Sequence, residues 1–160
     1  MSDMKDDPAS GDENPAVLTA AETGALIVQN LPSVDHHGEV VEAVGGDAIR
    51  VRLPFRPEFM GDEPWQDRSG RVFSGPMVMG FADTAMYACV LAALGEDVIP
   101  VMANYTITFL RPARAADLIA EARIVRRGGR LSYLECWLTS DGDPEPCAHI
   151  TSTYRVARRR

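Results

Sequence analysis

The most distinctive chemical group in the sequence is a single acid inside a long apolar segment. Asp83 is the only charged residue from Met77 to Leu94, and its neighbours are mainly Met, Val, Phe, Ala and Leu. Burying a carboxylate costs several kcal/mol unless the group is paired, solvated or protonated. Such an acid can serve as a general base or nucleophile where a substrate reaches it, or it can bond to backbone amides in a purely structural role.

A second candidate group is the backbone N–H of Gly75, at the start of the same segment. Ser74-Gly75-Pro76 favours the start of a helix, because Ser is a common N-cap and Pro is tolerated in the first turn. Free amides at a helix N-terminus attract negative charge, so a carbonyl oxygen that becomes an oxyanion would be stabilised there. A plain helix cap is the alternative interpretation.

The spacing of these two groups has a consequence for assembly. Gly75 and Asp83 are eight residues apart, which corresponds to about 12 Å along one helix. A reacting carbonyl carbon must lie roughly 3–3.5 Å from both its attacker and its polarising group. If both groups act on one substrate, Asp83 must meet Gly75 of a neighbouring subunit, with the two helices antiparallel. The geometry therefore predicts a dimer.

The elements that would position these groups follow from hydrophobic periodicity and turn residues. A short helix capped by Thr19 is followed by two strands that meet at Gly45-Gly46-Asp47, and then by the long apolar helix, which ends at Gly95. Four strand-like segments follow, with a stop at Pro112 and hairpin turns at Gly128-Gly129 and 141–144. Because a sheet must cover the whole helix, we expect an α+β fold with a curved antiparallel sheet of about six strands around one central helix.

Composition sets the class of protein. The 160 residues, 46% of them hydrophobic and 24% charged, predict one domain over residues 15–160 behind a disordered acidic segment, residues 1–14. The net charge of -7 disfavours nucleic-acid binding despite the basic C-terminal residues RVARRR. The N-terminus does not resemble a signal peptide, and the apolar segment containing Asp83 is more typical of a buried helix than of a membrane span. We therefore expect a cytoplasmic protein with no membrane partner.

The cysteines and histidines suggest neither a disulfide framework nor a metal site. Three cysteines without paired spacing, Cys89, Cys136 and Cys147, do not form a zinc motif. His36 and His37 are adjacent in a predicted loop, far from His149 in sequence. We expect no metal and no redox cofactor, and we expect Cys89 to be an inert core residue.

Two stretches of the sequence carry a family resemblance. The order of elements, together with GFADTAMYA and ITFLRPARAADLIAEARIVRRGGR, resembles the hotdog-fold acyl-CoA thioesterases over about residues 35–157. The closest branch is the phenylacetate-type (PaaI-like) thioesterases. The resemblance implies a homodimer with edge-to-edge sheets, often paired again into a homotetramer, with active sites at the dimer interface. It also implies that Asp83 is the catalytic carboxylate and that the Gly75 amide polarises the thioester carbonyl.

The sequence departs from this family at two places. The family's His-Gly-Gly at the helix start is Ser74-Gly75-Pro76 here, so only the first glycine is kept. Met102 matches a position where a hydroxyl-bearing residue often places the attacking water. The resemblance assigns Ser74 and the strand residues Met102, Ala103 and Asn104 to substrate binding; for Asn104 the alternative interpretation is that it satisfies the sheet edge.

Coenzyme A would also need groups that bind its phosphates. Arginine side chains suit phosphates because their fork of N–H donors matches phosphate oxygens. Arg111, Arg126 and Arg130 lie at predicted strand ends or turns, and they are the candidates; solvated surface charges are the alternative interpretation.

The function that the sequence favours is hydrolysis of an acyl- or aryl-CoA thioester to a carboxylic acid and CoA. There is no G-x-S-x-G elbow, no G-x-G-x-x-G and no P-loop. The hotdog dehydratases use a catalytic histidine, and none lies near the helix in the sequence. The alternative is a non-catalytic hotdog module that binds acyl-CoA or serves a structural role.

Overall fold

The computed structural model describes residues 15–61 and 71–160. The predicted disordered segment, residues 1–14, lies outside the described residues. Within them the chain forms two α-helices, a short 3-10 helix (Pro57–Phe59) and six strands. The helices are α1 (Ala20–Asn30) and α2 (Gly75–Leu94); the strands are β1 (Val40–Gly45), β2 (Ala48–Leu53), β3 (Val98–Phe109), β4 (Leu118–Arg127), β5 (Leu131–Ser140) and β6 (Pro146–Arg158).

The six strands form one antiparallel sheet in the order β1-β2-β4-β5-β6-β3. The sheet packs around α2, so the predicted α+β architecture, a hotdog fold, is confirmed. In β2, Ile49, Val51 and Leu53 are buried and alternate with more exposed arginines, as the period of two predicts. β3 is an edge strand with one neighbour, β6.

Both ends of α2 lie where the sequence predicts them. Ser74 occupies the N-cap position, and Gly95 follows the last turn with φ +105°, a backbone conformation that glycine adopts without steric cost. The helix is long and apolar enough to cross a membrane, but 67% of its apolar window is buried within the fold. This burial is expected of the core helix of a globular domain.

A bulge in β3 determines which of its residues pair with β6 beside α2. The pairing of β3 with β6 shifts register between Met102 and Asn104, so that Met102 lies opposite Tyr154 and Ala103 has no direct partner. The Thr84 hydroxyl of α2 donates a 3.1 Å hydrogen bond to the Asp35 carbonyl. Hydrogen bonds thus tie α2 both to the β3–β6 pair, through Tyr105 and Tyr154, and to the segment that links α1 to β1.

Candidate active site

A cavity of about 650 Å³ opens beside Asp83. Four of its lining residues, Pro76, Gly80, Asp83 and Tyr87, recur every three or four positions along α2 and so share one face of the helix. The opposite walls come from β3, β6, the segment after α1 and the 3-10 helix. The remaining lining residues are Leu31, Val34, Asp35, His37, Glu58, Phe59, Ser74, Met77, Thr84, Pro100, Val101, Met102 and Tyr154.

The Asp83 carboxylate is bonded on one oxygen. The Tyr154 hydroxyl donates a short hydrogen bond to Asp83 Oδ1 and lies 3.2 Å from the Asp83 backbone carbonyl, to which it also donates. Within residues 15–61 and 71–160, Oδ2 receives no hydrogen bond from the protein. The second oxygen is therefore available to a water molecule or a substrate in the cavity.

The environment of Asp83 makes it a better base than an ordinary aspartate. Burial raises the pKa of the Asp83 carboxyl above its usual value, and the negative charge of Asp35 raises it further. The hydrogen bond from Tyr154 acts in the opposite direction because it favours the charged form. A carboxylate with a raised pKa accepts a proton more readily, which suits general-base chemistry.

Gly75 lies at the first position of α2, on the same helix as Asp83. Its N–H has no hydrogen-bond acceptor in the part of the chain that the structure describes. The Ser74 side chain makes no capping hydrogen bond, although the sequence predicts a serine cap. Its backbone provides the extended entry into the helix (φ -55°, ψ 129°), and Ser74 lines the cavity while its side chain leaves the first-turn amides uncapped.

The predicted substrate-binding residues of β3 lie in two different environments. Met102 lines the cavity opposite Tyr154. Ala103 and Asn104 are exposed on the edge strand and are not among the lining residues. The Asn104 carbonyl accepts a 2.5 Å hydrogen bond from the Ser152 hydroxyl. A role of Ala103 and Asn104 in substrate binding stays a prediction, and within one chain they do not reach the cavity.

The three arginines predicted to bind phosphate are exposed at opposite ends of the sheet. Arg111 follows β3 and lies 3.5 Å from the Glu145 carboxylate. Arg126 is at the end of β4 and Arg130 is in the turn before β5, as the Gly128-Gly129 hairpin predicts. None of the three lines the cavity, so their role in binding CoA also stays a prediction.

Sequence reasoning missed several residues around Asp83. Tyr154 is 71 positions away along the chain, and its hydroxyl is the hydrogen-bond donor to the carboxylate. Asp35, His37 and Glu58 also line the cavity, although the sequence places them in or next to predicted loops. One signal was available: a tyrosine in an alternating strand that buries its ring must find a polar partner for its hydroxyl.

The described residues offer no cluster of His, Cys, Asp and Glu that could hold a metal ion. The cysteines are free and buried, away from the cavity lining. Burial raises the pKa of the Cys89 thiol to about 12, and this thiol donates to the Asp47 carbonyl at 3.3 Å. Cys89 is thus an inert core residue, as the sequence predicts, because the nucleophilic thiolate is not formed near neutral pH.

Comparison with known proteins points to one broad chemical class. Residues 70–147, just under half of the chain, match the thioesterase superfamily. No curated protein matches the sequence. Among solved structures, a provisionally assigned thioesterase from Silicibacter sp. TM1040 is similar with a TM-score of 0.74 and 27% identity, over 89% of this chain and 94% of that one.

Two further solved structures share the fold at lower identity. A thioesterase from Haemophilus influenzae has a TM-score of 0.72 and 20% identity, over 88% of this chain and 92% of that one. A hypothetical thioesterase protein from Streptococcus pneumoniae, solved with coenzyme A, has a TM-score of 0.67 and 12% identity, over 81% of this chain and 93% of that one. The family match and the 27% identical structure support a thioester hydrolase in general terms, whereas these two structures support the fold.

Proposed function

We propose that this protein is an acyl-CoA thioesterase of the PaaI-like branch that hydrolyses an acyl- or aryl-CoA to a carboxylic acid and CoA. The observation that carries the proposal is the Asp83 carboxylate, whose Oδ1 is bonded to Tyr154 while its Oδ2 receives no hydrogen bond from the described protein, beside a cavity of about 650 Å³. The cavity walls near it are largely apolar, with Met77, Val101 and Met102 among them. Such a lining suits the acyl part of the substrate.

The chemistry follows from the position of this acid. Asp83 Oδ2 takes a proton from a water molecule while the water oxygen bonds to the thioester carbonyl carbon. The carbonyl oxygen becomes an oxyanion, and the C–S bond then breaks to release the CoA thiolate, which receives the proton back. Direct attack by Asp83 is the alternative first step: it releases the thiolate and forms a mixed anhydride, which water then hydrolyses.

The Gly75 amide that stabilises the oxyanion comes from a second subunit in this mechanism. Gly75 and Asp83 of one chain are about 12 Å apart along α2, too far to act on one carbonyl. The exposed edge strand β3, with apolar Ile99 and Val101 at its surface, offers an edge for pairing two sheets. The enzyme we propose is therefore a homodimer or a dimer of dimers that acts in the cytoplasm, with Arg111, Arg126 and Arg130 as candidates for the CoA phosphates.

A second candidate function, a non-catalytic acyl-CoA-binding module, is favoured by three observations. Ser74 and Pro76 replace two residues of the His-Gly-Gly pattern, and Met102 stands where a hydroxyl would place water. The hydrogen bond from Tyr154 also occupies part of the carboxylate. A module of this kind would bind acyl-CoA and release no CoA.

The test is CoA release from a panel of acyl- and aryl-CoA thioesters by the wild type and by Asp83→Asn. We expect the variant to lose about 10²–10⁴-fold in kcat/KM, because it retains the shape of the side chain but cannot accept a proton. Asp97→Asn is the matched control, since Asp97 is exposed and pairs with Arg158 far from the cavity. Equal turnover by wild type and Asp83→Asn would contradict the proposal, and binding without turnover by the wild type would favour the module.

A further inference from the structure

The side chain of Tyr154 carries a buried hydroxyl whose role needs an explanation. Its side chain is 1% exposed and is among the largest fully buried side chains of the protein. A buried phenol must donate its proton, and in this structure both of its acceptors belong to Asp83: the carboxylate Oδ1 and the backbone carbonyl.

The surroundings of Tyr154 fix where its hydroxyl lies. β6 is bonded on one side to β5 and on the other to β3, with Ser132 and Met102 as the register partners of Tyr154. The ring belongs to the hydrophobic core, so its position is set by close packing. Asp83, by contrast, is half-buried on α2 and lines the cavity, so its side chain is less closely packed than the Tyr154 ring.

We propose that Tyr154 is a positioning residue for the reaction, which holds Asp83 Oδ1 so that Oδ2 is directed into the cavity in its charged form. The inference rests on the proposed function of Asp83 as the base or nucleophile. The Tyr154 ring packs in the core while its hydroxyl meets the carboxylate at the cavity wall, so a fixed donor constrains the acid.

The other polar groups around Asp83 do not replace this donor. Asp35 approaches from the segment after α1, and its charge opposes that of Asp83. His37, Glu58 and Tyr87 line the same cavity, but none bonds to the carboxylate. The hydroxyl of Tyr105, on β3, donates to the Met79 carbonyl at 2.9 Å. Loss of the Tyr154 hydroxyl therefore leaves the carboxylate without a donor among the described residues, and the pKa of Asp83 should rise because burial and Asp35 then act unopposed.

The test compares Tyr154→Phe with Tyr105→Phe, two changes that each delete one phenolic oxygen from neighbouring strands. For Tyr154→Phe we expect kcat/KM at pH 6 to fall about tenfold or more, and the acid limb of its pH profile to move to higher pH. The loss should shrink as the pH rises, because Asp83 is then charged in both proteins. Tyr105→Phe should leave the acid limb in place.

A measurement that needs no turnover separates this inference from the proposed function. The carboxyl carbons of ¹³C-labelled aspartate are titrated by NMR in the full-length chain, and Asp83→Asn identifies the Asp83 signal. The inference is supported if Asp83 titrates at higher pH in Tyr154→Phe, and an unchanged titration overturns it. If the wild type hydrolyses no thioester, the proposed function fails, while this titration still decides whether Tyr154 controls Asp83.

A second variant keeps the test decisive if Tyr154→Phe does not fold. Uniform incorporation of 3-fluorotyrosine makes every phenol a stronger donor while preserving the ring. In the Tyr105→Phe background the Asp83 titration should then move to lower pH, opposite to the shift expected for Tyr154→Phe. No movement in that protein would overturn the inference.

Discussion

The two halves of α2 have similar apolar sequences but very different surroundings. Of residues 75–84, four are buried, whereas eight of residues 85–94 are. The second half is enclosed on almost every side, by the sheet and by α1 with the segment before it, as expected of a core helix. The first half buries only the stripe that includes Val78, Phe81 and Ala82, and its other face borders the cavity.

One buried ionisable group in each half shows the effect of this difference. Cys89 is in the enclosed half, where burial raises the pKa of its thiol to about 12 and keeps it neutral. Asp83 is in the open half, where burial also raises its pKa but a tyrosine donor favours the charged form. The comparison teaches that apolar sequence alone does not make a helix inert: the space beside it decides whether a buried ionisable group can react.

After the loss of Asp83 itself, the largest effect is expected at the start of the open half, where Gly75→Pro should lower kcat/KM by about 10²–10³-fold. Proline removes the N–H proposed to hold the oxyanion, and it fits sterically because the preceding Ser74 is already extended, at ψ 129°. Gly75→Ala is the matched control. Its new Cβ would meet Phe109 Cζ at an ordinary 3.8 Å, and it retains the N–H.

Both substitutions place a Cβ next to Pro76, so their difference in steady-state thioester hydrolysis reports on the N–H and the proline ring that replaces it. Similar losses in the two variants would exclude the amide as the oxyanion donor and leave steric disturbance of the helix start as the cause.

Substitutions of Asp83 and Cys89, one in each half, should change the free energy of unfolding in opposite directions. Because burial raises the folded-state pKa of Asp83 above its unfolded value, the folded chain binds more protons between the two values and loses stability as pH rises through them. Asp83→Asn avoids this loss and should be about 1 kcal/mol more stable at pH 7, with the gain shrinking below about pH 4. Cys89→Ala, in the enclosed half, should be about 1–2 kcal/mol less stable because it removes buried contacts.

Urea unfolding at pH 7 and pH 4 measures both changes. A loss of stability in Asp83→Asn at pH 7 would instead mark the carboxylate as a structural group that the fold depends on.

A smaller effect is expected from the acid that faces Asp83 across the cavity. Asp35→Asn removes the negative charge that raises the pKa of Asp83, so the acid limb of the kcat/KM profile should move to lower pH. This shift is opposite to the one expected for Tyr154→Phe. Glu58→Gln, which neutralises another cavity acid, should move the limb less. An upward shift in Asp35→Asn would contradict the assigned direction.

The sequence predicts local structure well because its signals are local. The bounds of α2 follow from Ser74, Pro76 and Gly95, and the β1–β2 and β4–β5 hairpins follow from their glycines. The strand order does not follow from the sequence, because the pairing of β3 with β6 joins segments that no turn connects.

The residues of the candidate site also divide into those that stand out in the sequence and those that only the tertiary fold brings together. Asp83 stands out as a lone charge in an apolar run, and Gly75 as an amide at a helix start. Tyr154 and Asp35 become part of the site only through the tertiary fold, across 71 and 48 positions of chain. The predicted phosphate-binding arginines could be placed at strand ends from the sequence, but their distance from the cavity depends on the sheet and on any second subunit.

The most direct test of the central claim, that one site uses Asp83 of one subunit and Gly75 of another, is complementation between inactive variants. Asp83→Asn and Gly75→Pro chains, each inactive alone, are refolded together and assayed for CoA release. Random pairing into dimers should restore about a quarter of wild-type activity per site, because half of the dimers then hold one intact site. Mixed dimers, verified by two affinity tags, that show no activity above the parent variants would contradict the account.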